Sequence, residues 1–217
     1  MTDYSNWQVD MFGDSIVKYD GRPQPDGTIA IGYESWLKKL LNFQTVRNFG
    51  LSGAPFANRK TGDRGIGALI ETEFTPKDLV VIAAGTNDYR LNVPLGRIET
   101  VGATFDCYTT IGALQAAIEA ILVLEPRQKI ILITPLQRNR VGYTIYSSNL
   151  TGYQLRQYRN AIIEVGELYA LPVWDAYTLS GLNMMTLKEY TLDGLHPNNA
   201  GFERISRGLA KFIQCSY

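Results

Sequence analysis

One stretch of this chain, Leu79-Val80-Val81-Ile82-Ala83-Ala84, is apolar without a break, and a second, Lys129-Ile130-Ile131-Leu132-Ile133-Thr134, is nearly so. A strand with one face in water alternates apolar with polar side chains. Unbroken hydrophobicity in so short a run requires cover on both faces, the situation of a strand inside a parallel sheet. Weaker strands read at Gln8-Val9-Asp10-Met11-Phe12, Thr45-Val46-Arg47-Asn48-Phe49 and Leu171-Pro172-Val173-Trp174. Segments of helical period lie between them. Tyr33 to Leu41 carries Trp36, Leu37, Leu40 and Leu41 on one stripe. Thr110 to Leu124 spaces Ile111, Leu114, Ile118, Ile121 and Leu122 in the same way, and Glu125-Pro126 closes it. Leu155 to Ala170 and Phe202 to Ile213 complete the set. This alternation predicts an α/β protein, a three-layer α/β/α sandwich with a five-stranded parallel sheet. No repeat, low-complexity tract or linker-like stretch interrupts it, so residues 1–217 read as a single domain.

In such sheets ligands bind outside the carboxyl ends of the strands, and the chemically distinctive residues fall there. Gly13-Asp14-Ser15 follows the first strand, where Gly13 lets the chain turn out of the sheet without a Cβ clash. Ser15 then stands at a helix N-terminus, with its own backbone N–H free to donate and the helix dipole favouring negative charge. Asn48-Phe49-Gly50-Leu51-Ser52-Gly53 ends the second strand, and Gly53 offers an unobstructed N–H. Gly85-Thr86-Asn87-Asp88 ends the third: Asn87 carries an NH₂ suited to a developing oxyanion, and Asp88 is expected to tie down its own loop. The only histidine of the chain, His196, lies in Asp193-Gly194-Leu195-His196-Pro197. A carboxylate three residues before an imidazole can accept its Nδ1 proton and leave Nε2 facing a serine. Asn198 is placed to cap the last helix.

Lys plus Arg and Asp plus Glu both number 21, a formal net charge of +0. Bulk electrostatics therefore favour neither nucleic acid nor an anionic membrane as partner. No apolar run is long enough to span a bilayer. Met1-Thr2-Asp3-Tyr4-Ser5-Asn6 has neither the basic nor the apolar region of a signal peptide, so a cytoplasmic location is expected, with an extracellular or phage-associated one as the alternative. Cys107 and Cys215 read as free thiols. One histidine and two distant cysteines supply few of the usual zinc ligands, so no metal is expected.

Each block alone is a weak signal. Together, in this order, the four resemble the SGNH or GDSL hydrolase superfamily over essentially the whole chain, from Phe12 to the last helix. The signature residues fall on Ser15, Gly53, Asn87 and His196. The resemblance implies a flavodoxin-like fold and hydrolysis of carboxylic esters without a cofactor. It makes Ser15 the nucleophile, His196 the general base and acid, and Asp193 its orienter. The backbone N–H groups of Ser15 and Gly53, with the Asn87 side chain, would form the oxyanion hole.

Two long segments, 89–108 and 135–150, flank the expected site and carry Tyr89, Arg90, Asn92, Arg97, Gln137, Arg138, Arg140, Tyr143 and Tyr146. Tyr89, Arg90, Arg138 and Tyr143 are the expected substrate contacts. Neither segment has a contiguous apolar run, which favours a short acyl group, such as acetyl on a carbohydrate, over a lipid tail. Thr109-Thr110-Ile111-Gly112-Ala113-Leu114 and Thr134-Pro135-Leu136-Gln137-Arg138 also resemble members of the superfamily from Gram-positive bacteria and their phages, a resemblance that implies a cell-wall or surface glycan as target. Two other readings compete: a carbohydrate-binding module without catalysis, and a lipase or thioesterase-type acylhydrolase. A flavin or nucleotide binder is disfavoured, because Lys18-Tyr19-Asp20-Gly21-Arg22-Pro23 is no phosphate-cradling loop.

Overall fold

A computed structural model describes residues 2–217. In chain order, β1 (Gln8–Gly13) leads into the single turn α1 (Ser15–Lys18), then α2 (Tyr33–Leu41), β2 (Thr45–Gly50), α3 (Ile66–Glu73) and β3 (Leu79–Ala83). These are followed by α4 (Thr86–Arg90), α5 (Thr110–Leu124), β4 (Ile130–Ile133), and the two short strands β5 (Asn139–Arg140) and β6 (Tyr143–Thr144). The chain ends through α6 (Leu155–Leu168), β7 (Val173–Trp174), α7 (Ala176–Leu179), α8 (Leu187–Tyr190) and α9 (Asn199–Ser216). Five strands form an all-parallel sheet in the order β2-β1-β3-β4-β7. Numbering the sheet strands along the chain gives 2-1-3-4-5, the flavodoxin-like order.

The unbroken hydrophobicity of β3 and β4 has a direct cause: successive residues point into two different cores. Leu79, Val81, Ile131 and Ile133 meet Tyr33, Trp36, Leu37, Phe202, Ile205, Leu209 and Ile213 from α2 and α9. Val80, Ile82, Ile130 and Leu132 meet Ile66, Ile70, Leu114, Ile118, Ile121, Ile162 and Val165 from α3, α5 and α6. Each face thus carries its own helical layer, as the sequence predicts.

The last helix starts at Asn199, three residues ahead of its apolar stripe, and Asn198 caps it as expected, accepting the Gly201 N–H at 2.9 Å. Two local features depart from the sequence reading. The helix at Ile66–Glu73 has no counterpart in the sequence reading: it is short, and Gly67 sits where a helix former would announce it. The segment 135–150 contains an antiparallel hairpin, in which Arg140 pairs with Tyr143 across a two-residue turn. Val141 holds φ 49° in that turn, a conformation that β-branched residues rarely adopt, so the usual Asn-Gly signal is missing. No helix among the described residues is long and apolar enough to cross a membrane.

Candidate active site

The strand register fixes where the distinctive residues meet. Gly13, the last residue of β1, pairs with Gly50 of β2 on one side and with Ala83 of β3 on the other. The three following loops therefore leave the sheet at one level. α1 and α2, which follow β1, pack on one face and α5, in the connection after β3, on the opposite face, which opens a crevice at the switch point of the sheet.

Ser15 begins α1, with Asp14 as its N-cap: Asp14 Oδ1 accepts the Ile16 N–H at 2.9 Å. α1 is only four residues long, so it has few aligned peptides to add to the helix dipole that the sequence reading places at Ser15. Asp14 is itself sealed from solvent, and burial pushes its carboxyl up to about 6. From the far end of the chain His196 reaches across 181 positions, and its Nε2 lies 2.9 Å from Ser15 Oγ. His196 Nδ1 lies 2.8 Å from Asp193 Oδ2.

The local fold of the 191–197 loop explains why these groups can meet. Leu192 N donates to the His196 carbonyl at 2.8 Å, and Gly194 N to Thr191 Oγ1 at 2.9 Å. Gly194 turns with φ 80°, and a Cβ there would lie 2.0 Å from the Asn139 carbonyl, so no other residue fits. Asp193 Oδ1 accepts the backbone N–H of Leu195 at 3.1 Å and of His196 at 2.8 Å. Its Oδ2 also takes Arg140 Nε at 2.7 Å. Burial opposes a charge on Asp193, but the His196 hydrogen bonds and the charges of His196 and Arg140 outweigh it and hold the carboxyl well below the usual range. An ionised carboxylate only accepts, so Nδ1 carries the proton and Nε2 is free to accept from the serine hydroxyl.

The other two loops supply donors. Neither Ser15 N nor Gly53 N donates to another group among the described residues. Gly53 turns with φ 76°, and no atom lies within 4 Å of where a Cβ would stand. Asn87 is buried, and its Nδ2 donates to the Ala54 carbonyl at 3.1 Å, tying it to the residue after Gly53. One N–H of that amide remains. Asp88 does not bind its own loop as expected. Its carboxylate accepts Phe56 N at 2.9 Å, Ala57 N at 3.4 Å and Thr110 Oγ1 at 3.1 Å, so it fastens the Gly53 loop to the start of α5. Burial raises this carboxyl to about 6 in spite of those bonds.

The four expected substrate contacts separate. Tyr89 and Arg138 are 0% exposed. The Tyr89 hydroxyl reaches the carbonyls of Thr144 at 3.0 Å and Ser147 at 2.8 Å. Arg138 Nη1 donates to Thr86 Oγ1 at 2.8 Å, and burial lowers its guanidinium to about 10. Both residues pack the 135–150 segment onto α4 and are sealed from solvent there. Arg90 and Tyr143 are only partly buried.

The sequence reading missed Tyr19 as a site residue; its ring stacks on His196 with centroids 5.2 Å apart and planes 22° from parallel. Its spacing from Ser15, i and i+4 across one helical turn, is the signal that would have found it.

Comparison with known proteins follows the same lines. The sequence matches the GDSL-like lipase/acylhydrolase family over residues 11–204. No functionally curated protein matches it. Among solved structures it is similar to a possible lipase from Chitinophaga pinensis at 24% identity and a TM-score of 0.80, covering 97% of this chain and 99% of that one. It is also similar to the aryl esterase of M. smegmatis, with 17% identity, TM-score 0.68 and coverage of 96% and 99%. A third is Est24, a carbohydrate acetylesterase from Sinorhizobium meliloti, with 13% identity, TM-score 0.67 and coverage of 98% and 100%.

Proposed function

The chain belongs to the GDSL-like lipase/acylhydrolase family, a family of carboxylic ester hydrolases, and on that premise we propose that Ser15, His196 and Asp193 are its catalytic triad. The observation that carries the proposal is the unbroken line from Ser15 Oγ to His196 Nε2, 2.9 Å, and from His196 Nδ1 to Asp193 Oδ2, 2.8 Å.

Chemistry follows from those contacts. Ser15 Oγ attacks the acyl carbon while its proton passes to His196 Nε2. Negative charge collects on the former carbonyl oxygen, which the free N–H groups of Ser15 and Gly53 and the remaining N–H of Asn87 receive. Nε2 then returns the proton to the departing alcohol, leaving an acyl-serine. Water, deprotonated by the same imidazole, releases the acid and restores Ser15. Through both halves Asp193 stabilises the imidazolium without taking its proton.

The proposed substrate is a short acyl ester, such as acetyl, on a carbohydrate or similar polar alcohol. Tyr19, Arg90, Arg140 and Tyr143 stand partly exposed near the site, and such side chains suit a hydroxylated ring better than an alkyl tail. The likeness to a carbohydrate acetylesterase adds support at the level of fold. Initial rates on p-nitrophenyl acetate, butyrate and octanoate test this, with Ser15→Ala and His196→Ala beside the wild type. Rates should fall with acyl length and vanish in both variants. Faster turnover of octanoate than acetate overturns the short-acyl assignment, and full activity in His196→Ala overturns the triad.

A further inference from the structure

Arg140 is not required by a serine hydrolase, yet it holds the same carboxylate oxygen as the imidazole. Asp193 Oδ2 lies 2.7 Å from Arg140 Nε and 2.8 Å from His196 Nδ1. The arginine does not reach in as a loose surface arm. It sits on the β5–β6 hairpin, whose Asn139 N donates to the Gly194 carbonyl at 2.8 Å inside the catalytic loop. The far end of the same segment is fixed as well: the Tyr89 hydroxyl meets the Thr144 and Ser147 carbonyls, and Leu150 N donates to Asn92 Oδ1 at 2.8 Å. The segment 139–150 thus braces the loop of His196 against the loop that follows Asn87.

We propose that Arg140 is a positioning residue that sets the basicity of His196 through Asp193. A guanidinium on Oδ2 takes up part of the negative charge that would otherwise stabilise the imidazolium. It also places a like charge on the far side of the carboxylate. Both effects favour the neutral ring, which keeps the base able to accept the serine proton at lower pH. The other groups that face the imidazole are constant in this comparison: Ser15 Oγ at Nε2, the Tyr19 ring stacked on one side, and the buried carboxyl of Asp14, which interacts with it electrostatically. Arg138, sealed in the interior, interacts electrostatically with Arg90, Arg140 and the Asp14 carboxyl, and it too is unchanged in this comparison.

The inference rests on the triad reading for its catalytic meaning, but its test does not. His196 is the only histidine, so in untagged protein its Cε1–H resonance is unambiguous, and its titration can be followed by NMR without any substrate. The comparison is wild type, Arg140→Gln, which removes the charge but keeps a donor, and Arg140→Lys, which keeps the charge. Charges within about 4–6 Å commonly move a titration by about one to three pH units, and partial exposure reduces this. Arg140→Gln should therefore raise the midpoint by about half to one pH unit, and Arg140→Lys should leave it within about 0.2. Where the enzyme turns over an ester, the acid limb of kcat/KM should move by the same amount in the same direction. A glutamine variant that titrates with the wild type, or below it, overturns the proposal. A shifted midpoint in a protein that cleaves no ester supports the coupling and overturns the esterase reading instead.

Discussion

Asp14 gives the sharpest stability expectation, because it stands next to the nucleophile yet is the least compensated of the buried carboxylates near the site. Its side chain accepts one backbone N–H, from Ile16, and is 2% exposed. Burial raises it from 3.8 to about 6. At roughly 1.4 kcal/mol for each pH unit, ionising it in the folded state costs about 3 kcal/mol relative to the unfolded chain. Below the unfolded value of 3.8 both states are protonated and the term vanishes. As pH rises through the window from 3.8 to about 6 the unfolded state loses its proton first, so stability is lost with rising pH and the full cost is present at neutrality. Asp14→Asn keeps the N-cap acceptor and removes the titration. The new amide NH₂ meets a small enclosed space lined by Tyr33, Thr86 and Thr134, and leaving it poorly paired costs about 1–2 kcal/mol. We expect the variant to be more stable than wild type by about 1–2 kcal/mol at pH 8, and less stable by a similar amount at pH 4. For a chain of this size that swing of about 3 kcal/mol is about 6–12 °C in the difference between the two Tm values. Thermal melts of both proteins at half-unit steps from pH 4 to 8 measure it. A difference that does not change with pH refutes the claim that a buried carboxylate ionises there.

Other expectations concern the loops. Asp88→Asn leaves its three donors one carboxylate oxygen short, so amide exchange at Phe56 and Ala57 should quicken; burial raises this carboxyl to about 6 as it does that of Asp14, so urea melts should show the variant gaining on the wild type as pH rises from 4 to 8, as with Asp14→Asn. Asn87→Ala should lower kcat by about a hundredfold to a thousandfold while KM changes little, as steady-state kinetics on the acetate ester would show. Val141→Asn should raise stability by about 1 kcal/mol, since Asn tolerates φ 49° far better than valine; a calorimetric scan that finds it less stable would count against strain in that turn.

What the sequence reveals and conceals here has physical reasons. The strands of the sheet interior are legible because both of their faces are covered, a condition that leaves an unbroken apolar run. Ser15 and the Asp193–His196 pair are legible because the chemistry needs those residue types close to strand ends or within one short turn. The hairpin is hidden by Val141 in a turn that usually advertises itself with Asn-Gly. Tyr89 and Arg138 look like rim residues because tyrosine and arginine are so rarely sealed completely; only the packing of 135–150 onto α4 shows otherwise. The partner of Asp88 could not be read at all, since Phe56 and Ala57 are brought to it by the sheet register and not by proximity in the chain. Arg140 is visible in the sequence only as one more basic residue in a long segment, and its hold on Asp193 exists only once the hairpin has formed.

If His196 makes Ser15 nucleophilic, Ser15 should be open to covalent trapping. The protein would be incubated with a fluorophosphonate, in which the serine oxygen displaces fluoride, and followed by intact mass and peptide mapping. One adduct per chain is expected, located on Ser15, absent in Ser15→Ala and forming at least about a hundredfold more slowly in His196→Ala. No adduct, an adduct on another residue, or labelling of His196→Ala at the wild-type rate would contradict it.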